Sequence, residues 1–354
     1  MLKNLRIAVL FVSPILGGHE LMAVNHLKKL NGKGVKISSF VPSNNEKLIE
    51  LMQISSLDYK LHNVLHRKVE IIHSFVNAKY LAQSSALLRK ISHLFDFIVV
   101  VQGDIELGAG LINTAKRLSL DNIVSYIPYT HSFETMGSKF SKVKDVLAKY
   151  VYKNCDKYIT ICNQFSDDLK IKNPNAQVKV LRNFVDRPKD SGTKFTEVSD
   201  YASTDVITIL MAGRISFRQK GQDTLIQALK MINRSVQIKL NIIGDGPDYD
   251  KLVELSSGLK KNVVVTFFGW KKDVWKHARH VDLLVIPSNY EGVPLIMLEA
   301  LKRNIPIIAP ARDGMLDYLD GKSLYPVGGV EYSALADKIN EFIDNQSVIL
   351  KAKY

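Results

Sequence analysis

Two glutamates stand eight positions apart in "SNYEGVPLIMLEAL", residues 288–301. Glu291 is followed by Gly292 and Pro294, and Glu299 sits in an apolar run. In one continuous helix, eight steps would leave the carboxylates about 80° apart around the axis and about 12 Å apart along it. That is too far for an acid–base pair flanking one bond. Pro294 suits the first turn of a helix, so Glu291 is expected in the loop before it and Glu299 inside it. Both side chains can then face one ligand resting on the helix N-terminus, whose free N–H groups suit a diphosphate. Carboxylates accept from paired hydroxyls, as on a sugar or a ribose. The plainer alternative makes Glu291 a solvated loop residue and Glu299 a surface helix residue.

Other candidates fall at apparent strand ends. In "AGRISFRQKGQDTL", Arg214 follows a strand, and Lys220 comes six residues later, before a helix. A planar fork and a point charge aimed at one place suit a diphosphate; otherwise they are solvated cations, as Arg218 is expected to be. In "SPILGGHE", Gly17 and Gly18 let backbone N–H groups approach an anion at a helix start, although paired glycines also make plain turns. In "NIIGDGPDYDKL", Gly244 and Gly246 lack the full dinucleotide fingerprint, which excludes a nicotinamide site of that kind; the glycines are expected to let backbone pass close to a ligand. In "PYTHSFETMG", His131 is expected to end a strand beside Thr130 and Ser132, where it could touch a ligand or simply pack.

Positioning these residues requires strands that stop on one edge. Ile-, Val- and Phe-rich runs alternate with helical patterns: "RIAVLFV", "VKISSFV", "FDFIVVV", "NIVSYIPY" and "KYITI", then "VITILMAG", "VQIKLNIIG", "VVVTFFG", "VDLLVIP" and "IPIIAP". Such alternation predicts parallel sheets with helices on both faces. A polar stretch between the two sets reads as a linker. The expected layout is α/β: a Rossmann-like domain over 1–185, a linker over 186–204 and a second Rossmann-like domain over 205–354, facing a central cleft where ligands bind.

Composition narrows the classes. The 354 residues are 46% apolar, enough for two cores, with no apolar run long enough for a spanning helix. The start, "MLKNLRIAVLFVSPILGG", could mimic a signal peptide but reads better as strand, glycine loop and helix. Cys155 and Cys162 fit no common zinc or redox spacing, and a reducing cytoplasm is expected. The net charge of +13 is uneven: residues 1–190 hold 27 Lys+Arg against 16 Asp+Glu, whereas 191–354 hold 21 against 19. The basic half favours an anionic partner. Lys149, Lys153 and Lys157, among Tyr150 and Tyr152, suit an anionic membrane surface or a lipid-linked acceptor, against the alternative of a solvated lysine-rich helix.

Taken in order, "GGHE", His131, "GR…KG", "GDGP" and the two glutamates resemble the retaining glycosyltransferases of family 4, the glycosyl transferases group 1. The resemblance covers most of the chain and is strongest over 205–310. It implies a GT-B fold and transfer of a sugar, with retention, from a nucleotide-sugar donor expected to be UDP-linked. It implies that Arg214 and Lys220 bind the diphosphate, Glu299 the ribose and Glu291 the donor sugar. Gly292, Val293, Pro294 and Leu295 would approach sugar and phosphate, Gly17 and Gly18 would close over phosphate or acceptor, and His131 would contact the sugar. Gly244 joins the donor side. No cofactor or metal is expected. The acceptor is expected to be a glycan or lipid-linked glycan of bacterial surface polysaccharide, such as O-antigen or capsule, and the enzyme peripheral on the inner membrane face. Many members continue into a last helix beyond "ALADKINEFIDN", so a shortened C-terminus is expected here. The rivals are a non-catalytic polyanion- or nucleic-acid-binding protein, although no nucleic-acid motif is present, and a GT-B enzyme acting on another phosphate donor.

Overall fold

A computed structural model describes residues 5–31, 33–186, 206–232, 235–278 and 280–351. The chain divides into two compact units, Met1–Asn183 and Phe184–Tyr354. The expected linker over 186–204 lies, apart from Asp186, outside the described residues.

The first unit runs β1 (Arg6–Phe11), α1 (Gly18–Leu30), β2 (Lys36–Pro42), α2 (Glu46–Ile54), β3 (Tyr59–His62), α3 (Glu70–Val76), α4 (Ala78–Ile91), β4 (Phe97–Val101), α5 (Ala109–Arg117), β5 (Ile123–Tyr126), α6 (Ser141–Lys153), β6 (Lys157–Thr160), α7 (Asn163–Lys172) and β7 (Gln177–Val180). Its seven strands order as β3-β2-β1-β4-β5-β6-β7, every pair parallel. Leu10, Val100, Ile112, Val151 and Leu169 meet in one buried core.

The second unit runs β8 (Val206–Ala212), α8 (Phe217–Lys220), α9 (Gln222–Met231), β9 (Gln237–Ile243), α10 (Tyr249–Ser257), β10 (Val263–Phe267), α11 (Val274–His277), β11 (Leu283–Val285), α12 (Leu295–Leu301), β12 (Ile307–Pro310), a 3₁₀ turn (Asp313–Asp317), β13 (Leu324–Tyr325) and α13 (Glu331–Lys351). Its six strands order as β10-β9-β8-β11-β12-β13, again all parallel. Leu225, Ile226 and Leu229 of α9 and Leu335 and Ile339 of α13 pack into its core. Each fully buried side chain of this kind contributes about 1.5–3 kcal/mol.

Both sheets are doubly wound. Strand order reverses between β1 and β4 in one unit and between β8 and β11 in the other. Parallel open sheets bind ligands at such switch points, beyond the carboxyl ends of the strands. The glycine pair follows β1, Arg214 follows β8 and Glu291 follows β11.

Candidate functional site

In the second unit, the loops after β8 and β11 are pinned together. Gly221, at φ +61°, joins α8 to α9, and a Cβ there would come 2.1 Å from the Pro287 carbonyl oxygen. Only glycine accepts both the left-handed conformation and that approach. Asn289 completes the joint: its side-chain amide donates to the carbonyls of Phe217 (3.0 Å) and Arg218 (3.1 Å). The buried Gln222 holds the loop carrying Arg214, donating to the Arg214 carbonyl at 2.9 Å and accepting from the Ser216 N–H at 3.2 Å.

This joint brings Lys220 to Glu291. The ammonium forms an ion pair with Glu291 Oε1, which also accepts from Ser288 Oγ at 3.1 Å. The Glu291 side chain is 4% exposed and that of Lys220 22%. The Glu291 N–H donates to Asp313 Oδ2 at 2.7 Å, and the Gly314 N–H to the Gly292 carbonyl at 3.1 Å. Asp313 is buried at φ +51°, a conformation that Asp tolerates better than most residues. Lys220, Ser288, Glu291, Pro294 and Gly213 line one concavity. Arg214 is exposed at its edge. The phenol of Tyr290 is raised above its usual pKa by burial, with Arg218, Glu291 and Arg214 all close enough to act on it.

The glutamates fall as expected on either side of the helix start, Glu291 in the loop and Glu299 within α12. Pro294 differs by one place. It is the N-cap, with ψ 125°, and the helix begins at Leu295. Gly292, Val293 and Pro294 are buried beneath the turn. Glu299 Oε2 accepts from the Trp275 indole N–H at 2.7 Å, and the Arg303 guanidinium lies 4.5 Å over that indole.

Other expectations move. Gly244 carries φ +154°, and a Cβ there would fall 1.8 Å from the Gly213 carbonyl oxygen. The neighbouring backbone alone already requires glycine there. In the first unit, the Gly17 N–H donates to Glu20 Oε2 at 2.8 Å, so the fully buried Glu20 engages that amide, while a Cβ on Gly18 would meet nothing within 4 Å. His19 Nε2 contacts the other Glu20 oxygen. β5 stops at Tyr126, so His131 does not end a strand; it lies in the following loop, edge-on to Phe165 at 5.2 Å. Lys149 and Lys153 are exposed on α6, but Lys157 begins β6, donates to the Asp121 carbonyl at 2.5 Å and lies over the Phe97 ring. It is not part of the helix face.

Sequence reasoning missed Gln222, Ser288, Asp313 and Trp275, all ordinary residue types whose partners the fold supplies.

The profile of the family described as "Glycosyl transferases group 1" matches residues 196–354. An uncharacterized glycosyltransferase of Methanocaldococcus jannaschii is 30% identical over 48% of this chain and 43% of its own length, so the chain spans less than half of that relative. One of Haemophilus influenzae is 24% identical over 83% of this chain and 76% of its own. Among solved structures, the lipopolysaccharide outer core galactosyltransferase WaaB in its apo form superposes with TM-score 0.73 at 17% identity, covering 97% of this chain and 91% of that one. Anabaena HepE in complex with UDP and glucose gives 0.66 at 17%, covering 98% and 95%. At such identities the likeness is one of fold. With the motif-bearing loops seated at the switch point of the second sheet, the C-terminal unit is similar to the glycosyl transferases group 1 family, and the chain has the two-sheet GT-B fold of these solved structures.

Proposed function

We propose that this chain is a retaining glycosyltransferase that moves a sugar from a UDP-linked donor to a glycan or lipid-linked glycan of a bacterial surface polysaccharide. The observation that carries the reading is the part-buried Lys220–Glu291 pair, with the exposed Arg214 in the same β8–α9 connection as Lys220, at the β8/β11 switch point. Negative charge grows on the leaving diphosphate as the sugar departs. Preorganised cations and N–H groups aimed at that charge lower the barrier. Lys220 and Arg214 supply the cations, and the loop from Gly292 to Leu295 supplies backbone groups. Glu291 accepts from sugar hydroxyls and Glu299 from the ribose, with its carboxylate oriented by Trp275. Gly18, His131 and the loop after β1 belong to the acceptor and sugar side. The acceptor hydroxyl attacks the face from which the phosphate leaves, and a departing phosphate oxygen takes its proton.

Support for a UDP donor comes from HepE, solved with UDP and glucose, and support for a surface-glycan acceptor from WaaB, named for lipopolysaccharide outer core. The test is incubation with a panel of UDP-, GDP- and ADP-sugars while following released nucleotide. Slow release from one UDP-sugar, accelerated by a lipid-linked glycan, is expected. Silence across the panel, with retention on heparin and a thermal shift by nucleic acid only, would mean a polyanion-binding protein instead.

A further inference from the structure

The exposed side of α6 is built of two parallel rows. At about 100° per residue, Lys142, Lys149 and Lys153 fall within about 40° of one another, and Val146, Tyr150 and Val143 occupy the adjoining arc of about 60°. All six are exposed. The packed side of the same helix buries Lys144, Ala148, Val151 and Tyr152. Its one carboxylate, Asp145, accepts the N–H groups of Phe133 (2.8 Å) and Glu134 (3.2 Å) and is not on the exposed arc. Lys144 is likewise engaged, with Glu106 at 2.6 Å. The exposed arc is therefore purely cationic and apolar.

Phe140 adds an exposed apolar side chain at the N-terminal end of this helix. It caps the N-terminus of α6 at φ +58°, and its side chain is turned out to solvent at 68% exposure. A left-handed conformation is uncommon for a bulky residue and costs about 1–2 kcal/mol. The fold thus holds a phenyl ring in water at a strained position, one turn before the exposed Val143, while Tyr150 at 59% exposure lies about 15 Å further along the helix. Exposed aromatic and branched residues flanked by lysines are the pattern of a helix lying in a bilayer interface.

We propose that α6 and Phe140 form a docking surface for an anionic phospholipid bilayer. The phenyl, valine and tyrosine side chains enter the headgroup region, and Lys142, Lys149 and Lys153 pair with lipid phosphates. The inference deepens the reading of a lipid-linked acceptor and rests on it for its biological sense, but its physics stands on the helix alone. Three exposed lysines beside exposed apolar side chains are complementary to anionic headgroups above acyl chains, which commits the face to anionic lipid.

The test is co-sedimentation of the full chain with phosphatidylcholine vesicles, with and without phosphatidylglycerol. Binding should require phosphatidylglycerol and weaken with salt, which screens exposed charges over about 8 Å near physiological ionic strength. Replacing Lys142, Lys149 and Lys153 together by Gln should weaken binding roughly 10²-fold. Phe140→Gly, which also suits the left-handed backbone, combined with Val143→Ser should weaken it roughly tenfold or more at low salt. Phe140→Trp should show a blue-shifted, bromolipid-quenched emission change on binding. Parent-like binding by both the lysine and the apolar variants, or binding indifferent to phosphatidylglycerol, overturns the proposal. Loss in the lysine variant alone, with Phe140→Trp silent, also overturns it and indicates a surface anion contact without insertion. A parent that binds these vesicles yet releases nucleotide from no sugar donor keeps the docking surface and loses the transferase reading. One that turns over donor but ignores the vesicles does the reverse.

Discussion

Lys220 and Glu291, 71 residues apart in sequence, neutralise each other at the mouth of the β8/β11 switch point. The family resemblance assigns them to different ends of a donor, the diphosphate and the sugar. The ion pair makes them one electrostatic unit. A diphosphate that reaches the Lys220 ammonium must share it with a carboxylate already hydrogen-bonded by Ser288. Removing either partner therefore changes the charge that the other presents.

The first prediction follows from that coupling. Lys220→Met leaves Glu291 as a mostly buried, uncompensated carboxylate. Breaking a fully buried pair costs about 3–5 kcal/mol; here about 2 kcal/mol is expected, because Lys220 is 22% exposed and water screens it. Adding Glu291→Gln should restore most of that stability without restoring activity. Donor turnover should fall roughly 10²-fold or more in Lys220→Met, in Glu291→Gln and in the double variant. Urea unfolding checks the stabilities, and additive losses in the double variant would show that the pair carries no coupling.

Arg214 should behave differently. Its side chain is exposed, and its carbonyl, not its guanidinium, is held by Gln222. Arg214→Ala should leave stability within about 0.5 kcal/mol of the parent while cutting turnover roughly 10²-fold. A stable variant with parent-like nucleotide release removes Arg214 from the diphosphate site.

The nucleotide end is tested without chemistry. Glu299→Ala should weaken binding of free UDP in calorimetry, whereas Glu291→Ala, which frees the Lys220 ammonium for the diphosphate, should not weaken it. Trp275→Phe keeps the ring that Arg303 covers but deletes the hydrogen bond to Glu299. Losing one hydrogen bond to a charged group is worth about 1.5–3 kcal/mol, so UDP affinity should drop roughly tenfold or more if Trp275 orients the ribose ligand. Equal losses in the two glutamate variants would mean that their roles are not divided in this way.

Strands buried on both faces were legible because they read as continuous Ile, Val and Leu runs, as in β8, β11 and β12. β3 (YKLH), β7 (QVKV) and β13 (LY) were missed; all lie at sheet edges, short and partly polar. His131 was placed at a strand end because "NIVSYIPY" looks uniformly β-forming, yet Pro128 lacks the N–H that a ladder needs, and β5 stops before it. Glycine and charged residues at strand ends were readable by position. Asp313 was not, because its role is a hydrogen bond to Glu291, 22 residues earlier, made only once β11 and β12 lie side by side.

Acid should loosen the first unit through His62. This buried residue ends β3, with Nε2 on the Phe11 carbonyl at 2.8 Å and Nδ1 accepting from the Val64 N–H at 3.2 Å. The ring is thus neutral, with its proton on Nε2, and a second proton would face the Val64 donor. Burial lowers its pKa, against a smaller raising effect of the Phe11 hydrogen bond. Between its folded and unfolded values the unfolded chain binds more protons, so stability rises with pH. Its contribution is complete above about pH 6.5 and is lost as pH falls through the folded value. His26, also lowered by burial and then by Lys29, acts with the same sign. His66 acts with the opposite sign. Burial lowers its pKa, but the Glu70 hydrogen bond and charge outweigh that and raise it, so its contribution is lost as pH rises through its folded value. In His62→Gln the amide can still donate to Phe11, while His26 and His66 are unchanged and cancel in the comparison. From pH 7 to pH 5 the urea midpoint of the parent should therefore fall further than that of His62→Gln. Parallel pH profiles for the two proteins would mean that the His62 ring is protonated in the fold without cost.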